Sequence, residues 1–296
     1  MGEAKEKKDT VEKEFLAFPD IASDTINALL YQGEAVTDAA NLWTGATETI
    51  YQGREKLRSQ YEDLCKYELA DGRVNVMYLI ANQSQTDGKM LLRKAGYTGG
   101  VYREQYEGKM QEIFPVIELV LYWGSPRWRG CRDSRQLFQK RKLSDKAWKY
   151  IDSFRLHVFE MRHLPGEVRH LFQSDMRIVA DYLAEGDSYR SDRKIVHKAA
   201  LLKMLGALSG EGKAEEAEAW LEGRGIREED EITVCELFDQ YVRQGREEGR
   251  YEGDARRLVL DIEKIMKNMH LSLEKACEVF EIPVGKYEEA KNTLGS

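Results

Sequence analysis

The sequence predicts an α/β core followed by an all-α C-terminal region. Three observations carry this. First, the run Pro115 to Trp123 is apolar throughout except for Glu118, and Gly124-Ser125-Pro126 stops it. A near-continuous apolar run suits a central strand covered on both faces. Second, the β-prone run Val74 to Ile80 follows the turn signal Asp71-Gly72, and the stretch from Asp87 to Met110 between the two strands is long enough for a crossover helix. Third, strand patterns vanish after Pro165 and helical periodicity replaces them. Alternating elements followed by helices alone give the class.

Each element has its own basis. Residues 1–8 are polar and read as a flexible N-terminus. From Ala22 to Tyr31, Ala22, Ile26, Leu29 and Leu30 keep helical spacing, with Ser23 or Asp24 as the cap and Gly33 as the stop. Thr47 to about Leu69, rich in Glu, Lys, Arg and Gln, reads as a second helix. The crossover helix carries Gly96, Gly99 and Gly100, each costing about 1 kcal/mol relative to Ala. Phe154 to Met161 reads as a third strand. Helices are then expected over Val168–Leu183, Lys194–Leu208, Ala214–Leu221, Ile232–Arg243, Ala255–Met269 and Leu273–Phe280. This divides the chain into 1–8, an α/β core at 9–165, a helical extension at 166–250 and a C-terminal helical tail at 251–296.

Composition limits the function classes. Of 296 residues, 42% are apolar, too many for a disordered chain. Lys and Arg number 45 against 52 Asp and Glu, a net charge of −7. That total argues against a protein that coats DNA, though a local basic face can sit on an acidic chain. Cys65, Cys131, Cys235 and Cys277 are widely spaced, which favours free thiols in a reducing cytosol over disulfides or zinc. The start, MGEAKEKKDTVEKE, has no apolar signal core, and the stretch Phe114 to Trp123 is too short to span a bilayer. A soluble, cytoplasmic protein with no membrane partner is expected.

Walker A, dinucleotide, His-Glu-x-x-His and Gly-x-Ser-x-Gly motifs are all missing, and the five histidines read as surface or packing residues. One layout suggests chemistry. Asp63 precedes a β-prone run that ends in Ala81-Asn82-Gln83-Ser84. An acid beside a polar strand end can seat a divalent cation next to a phosphate. A solvated Asp and an ordinary polar strand end would look the same.

Further text sits around these residues in order: Lys8-Asp9-Thr10, Ser23 to Gly33, Tyr61-Glu62-Asp63-Leu64, Asn82-Gln83-Ser84, Met90, Arg93, Tyr97, Tyr102, Pro115 to Gly124, Trp128-Arg129-Gly130 and Phe172-Gln173-Ser174-Asp175. The ordered set, covering about residues 8–185, resembles the transposase-related, recombination-promoting branch of the PD-(D/E)xK nuclease superfamily. The resemblance implies a restriction-endonuclease-like mixed sheet flanked by helices, and cleavage of double-stranded DNA with Mg²⁺ or Mn²⁺. In that family an Asp and a Glu hold the metal, and a Lys or Gln follows two residues after the Glu. Asp63 matches the Asp and Gln83 the third position, where it would orient the attacking water or the scissile phosphate. The Glu position falls on Ala81.

A methyl group cannot ligate a cation, so the resemblance implies a weakened metal site or a rebuilt one. Glu62, Glu68, Asp87 and Asp24 are candidate replacements, with Asp24 preferred as an accessory catalytic acid. A member that keeps the nuclease fold only to bind DNA or protein is the alternative function. Arg93 and the basic stretch Arg127 to Lys142, with Arg127, Arg129, Arg132 and Arg135, are candidate phosphate contacts. That stretch also reads as a solvated loop.

The helical half is less specific. Glu211 to Glu231 is acidic and would repel DNA. Gly245, Gly249 and Gly253 space a Glu- and Arg-rich helix. Leu271 to Ala290 has a helix-break-helix rhythm with Ser272 as a cap. It reads as a packing or dimerising hairpin, so a homodimer through the C-terminal helices is expected.

Overall fold

The computed structural model describes residues 2–45, 48–52, 57–61, 64–109, 112–209, 217–269 and 271–295. The chain divides into two compact units, Met1–Glu231 and Ile232–Ser296. The first holds a five-stranded sheet between helices, and the second is helical, as the predicted class requires.

The first unit opens with α1 (Gly2–Ala17), so the polar start read as flexible is already helical in its backbone. Pro19 at the first turn of α2 (Pro19–Leu30) ends one helix and begins the next. Its fixed φ suits a helix start, where the missing N–H is not needed. Asn27 then ties down the chain beyond α2, donating to the Thr37 carbonyl at 2.8 Å and accepting from the Thr37 N–H at 2.9 Å.

The sheet comprises β1 (Leu42–Thr44), β4 (Leu64–Ala70), β5 (Arg73–Gln83), β6 (Val116–Tyr122) and β7 (His157–Glu160), in the order β1-β4-β5-β6-β7. Pairs β1/β4 and β4/β5 are antiparallel, and β5/β6 and β6/β7 are parallel. β2 (Glu48–Gln52) and β3 (Leu57–Tyr61) form a separate antiparallel hairpin. The helix expected over Thr47 to Leu69 is therefore three strands. Helix propensity lost to pairing here: Leu64 and Cys65 are buried in a strand bonded on both sides, by β1 and by β5. Asp71 and Gly72 both take positive φ, 52° and 75°, and form the β4–β5 turn that their sequence signals.

The crossover helix α3 (Met90–Tyr106) covers one face of the sheet. Tyr97 and Val101 pack there with Cys65, Met77, Leu79 and Phe114. α1 lies against β4 and β5, and α2 reaches the sheet where Tyr31 shares a hydrogen bond of 2.8 Å with the Tyr78 hydroxyl. Lys66 is fully buried. Its ammonium donates to the Ala17 carbonyl at 2.7 Å and to Thr44 Oγ1 at 2.9 Å, so it caps the C-terminal end of α1. Burial pulls its pKa below the ordinary lysine value.

Short helices α4 (Ser134–Phe138), α5 (Asp145–Trp148) and α6 (Gly166–Arg169) precede α7 (Met176–Glu185), α8 (Lys198–Ser209) and α9 (Ala217–Glu222). The single helix expected over Val168–Leu183 is broken between α6 and α7. The break follows from Asp24, whose carboxylate accepts from the N–H groups of Gln173 and Ser174 and takes them out of a helical ladder. Asp175 is buried and does the same for Val196 and His197 ahead of α8.

In the second unit, α10 (Val234–Met269) runs unbroken through Gly245, Gly249 and Gly253, where two helices were expected. α11 (Leu273–Val279) and α12 (Val284–Gly295) follow, with the Ser272 hydroxyl accepting from the Lys275 N–H as the expected cap. Their core is Ala255, Val259, Ile262, Ala276, Cys277, Tyr287 and Ala290. Among the described residues no helix is long and apolar enough to cross a membrane.

Candidate functional site at the strand ends

β5 and β6 run parallel, so their C-terminal ends emerge on the same side, where open α/β sheets carry their clefts. Ala81 pairs with Val120, Asn82 with Leu121 and Gln83 with Tyr122. The rim here is tightly bonded. The Trp123 N–H donates to the Gln83 carbonyl at 2.8 Å, and the Trp123 indole donates to Asn82 Oδ1 at 2.9 Å. Arg162 donates to the Trp123 carbonyl at 3.0 Å and to the Leu208 carbonyl at 2.9 Å, which locks the rim to α8. A Cβ on Gly124 would lie 2.3 Å from the Tyr122 hydroxyl, so only glycine lets the chain turn there.

Ala81 is 2% exposed. It belongs to an apolar cluster with Met90 and Leu91 from α3, Val120 and Tyr122 from β6, and Trp128, Leu156 and Val158. The position that the resemblance assigns to a metal-binding carboxylate is thus closed over by hydrocarbon. Asp63 and Glu62 lie outside the described residues; Leu64, the first described residue of β4, pairs with Ile80.

The other candidate acids are engaged elsewhere. Asp24 holds the 173–174 turn with both carboxylate oxygens, accepting from Gln173 N–H at 2.9 Å, Ser174 N–H at 2.8 Å and the Ser174 hydroxyl at 2.6 Å. Glu68 accepts from the Tyr78 hydroxyl at 3.0 Å, on the face opposite Ala81. Asp87 accepts from the Lys89 N–H at 2.8 Å and pairs with Arg93 at 3.1 Å. Arg93 also donates to the Tyr97 hydroxyl at 3.2 Å, so it lies along the first turns of α3. The ends of β5 and β6 offer the Gln83 amide and carbonyl oxygens but no carboxylate of their own. Among the described residues no group of three or more His, Cys, Asp and Glu could hold a metal ion. Mg²⁺ asks for one or two carboxylates; Asp63, the expected ligand, lies outside the described residues, and Ala81 supplies none.

Glu118 is an acid that the sequence marked only as an interruption of an apolar strand. On β6 it pairs with Leu79 of β5 and faces α3, where the Thr98 hydroxyl donates to it at 2.5 Å. Burial raises its pKa, against the pull of the Lys94 ammonium and the Thr98 bond. An isolated Glu inside a strand otherwise apolar was the available signal.

The basic arginines separate into two groups. Arg127 and Arg132 converge on Glu160, at 3.8 Å and 2.8 Å, and Arg132 also donates to the Val158 carbonyl at 3.0 Å. They fasten the chain to the edge strand β7. The side chains of Arg129 and Arg135 are exposed and make no ion pair among the described residues.

Fold and site together define an α/β protein whose mixed sheet carries a crossover helix and a polar rim at parallel strand ends. The family model described as "Putative transposase, YhgA-like" matches residues 6–184, and the chain belongs to that family. Comparisons with curated proteins and with solved structures returned no match.

Proposed function

We propose that the chain is a DNA-binding member of the PD-(D/E)xK nuclease class in which cleavage is impaired. Membership of the YhgA-like transposase family supports the nuclease-like class. The order of elements supports it further: two antiparallel strands, a crossover helix and a parallel strand, with Gln83 paired to Tyr122 at the strand ends. The observation that carries the impairment is Ala81, buried among Met90, Leu91 and Tyr122 where a second metal-binding carboxylate would stand.

In this reading Asp63 and Gln83 are remnants of the cleavage centre, and no hydrolytic step is assigned to them. Arg93, Arg129 and Arg135 contact phosphates of double-stranded DNA, a contact that releases counterions and weakens with salt. The test is plasmid nicking and a binding titration with Mg²⁺ or Mn²⁺. Salt-sensitive binding with nicking no faster than buffer is expected from the wild type. Wild-type nicking that Asp63→Ala abolishes would overturn the impairment.

A further inference from the structure

The connection from β6 to β7 is built as a lobe. At its base, the Ser134 N–H donates to the Phe154 carbonyl at 3.0 Å and the Leu156 N–H to the Arg132 carbonyl at 2.8 Å. The Ser153 hydroxyl donates to Asp133 at 2.8 Å, and Asp133 and Arg155 form a bridge. These bonds pinch the chain into a closed loop over residues 135–152. Leu137 packs against the cluster that holds Ala81, so the lobe adjoins the strand ends.

The lobe carries Arg135, Lys140, Arg141, Lys142, Lys146 and Lys149 against Asp145 and Asp152, on a chain whose net charge is −7. All six cations are exposed, and none makes an ion pair among the described residues. Arg127 and Arg132, by contrast, are occupied at the base. An unpaired cationic surface attracts a polyanion. Aromatic exposure then selects among polyanions. Tyr150 is 88% exposed, directly after Lys149, and Leu143 is exposed beside Lys142. Exposing a phenol ring among cations brings the fold no packing energy, but the ring offers a stacking platform for a base. The helices of the lobe, α4 and α5, have five and four residues, too short to lie along a major groove and read a duplex.

We propose that the lobe 135–152 binds single-stranded nucleic acid, with Lys140, Arg141, Lys142, Lys146 and Lys149 on the backbone and Tyr150 stacked on a base. This rests on the nucleic-acid reading above and adds the strand state and the contact residues. Single-stranded DNA here is the unpaired segment that a nuclease-like strand end would meet at a fork, flap or opened duplex.

The experiment is fluorescence anisotropy on the full chain, with labelled oligothymidylate and a labelled duplex at several salt concentrations. Melting curves confirm that each variant folds. The triple reversal Lys140→Glu, Arg141→Glu, Lys142→Glu is expected to weaken oligothymidylate binding at least tenfold. It should also reduce the log–log salt slope by about 2, at about 0.7 per lost phosphate contact. Tyr150→Ala should weaken it by about tenfold and Tyr150→Trp should not. Arg73→Glu, at the β4–β5 turn, is the charge control and should change little. Oligothymidylate binding that survives the triple reversal, or falls equally with Arg73→Glu, overturns the inference. A silent Tyr150→Ala with competition by heparin overturns the stacking and leaves a general polyanion surface. Duplex binding without oligothymidylate binding overturns the lobe assignment alone, whereas loss of both overturns the DNA-binding reading as well.

Discussion

Asp24 and Ser174, far apart in sequence, are joined by two hydrogen bonds to one carboxylate oxygen, from the backbone N–H at 2.8 Å and from the hydroxyl at 2.6 Å. With the two bonds from the Gln173 N–H, they make Asp24 the fastener between α2 and the start of α7. Hydrogen bonds to charged groups contribute about 1.5–3 kcal/mol each, less than additively. Asp24→Ala should lower stability by about 2–4 kcal/mol, measured by denaturant melts. DNA affinity per folded molecule should be unchanged. A stable variant with altered DNA chemistry would show that Asp24 serves the strand ends instead.

Ala81→Glu tests the closure of the carboxylate position. The added side chain enters a packed apolar cluster, and overpacking alone costs about 1–3 kcal/mol. Burying the charge adds to this. The variant should melt lower than the wild type and should not gain Mg²⁺-dependent nicking. A gain in nicking without loss of stability would mean that Met90 and Leu91 open to admit a ligand.

Glu118→Gln should flatten a pH dependence. The folded-state pKa of Glu118 is raised above the ordinary 4.5, chiefly by burial. The folded chain therefore holds this proton more tightly than the unfolded one. The associated stability is complete below pH 4.5 and is lost as pH rises through the folded-state pKa. Gln stays neutral throughout. The melting temperature of Glu118→Gln relative to wild type should therefore climb between pH 4.5 and pH 7. A constant difference across that range would refute the assignment.

Lys66 gives the opposite sign. Burial lowers its folded-state pKa below 10.5. The unfolded chain then binds more protons between the folded-state pKa and 10.5, so stability from this group rises with pH across that window. Lys66→Met, which fills the same space without a charge, should remove the rise in melts run under alkaline conditions. An unchanged rise would assign it to another group.

The core strands were legible in the sequence because their signals are local. Apart from Glu118, Pro115 to Trp123 is apolar on both faces, and Asp71-Gly72 adopts the turn its residues favour. The segment 47–69 was not legible. Its Glu, Lys, Arg and Gln favour a helix until β1 and β5 supply partners from distant sequence. For the site, Gln83 at a strand end and the basic stretch from Arg127 were readable. The capture of Arg127 and Arg132 by Glu160 was not, because the acid comes from the next strand.

By itself the sequence determined the α/β class with its helical close, the family-like order of residues, and the absence of a carboxylate at position 81. These follow from residue type and period, which need no partner. Only the tertiary structure decided that hydrocarbon fills the place beside Ala81, that Asp24 fastens a loop, and that Glu160 takes up Arg127 and Arg132 while the cations of the lobe stay exposed. Each of these depends on which distant groups compete for the same side chain, and chain folding alone sets that competition.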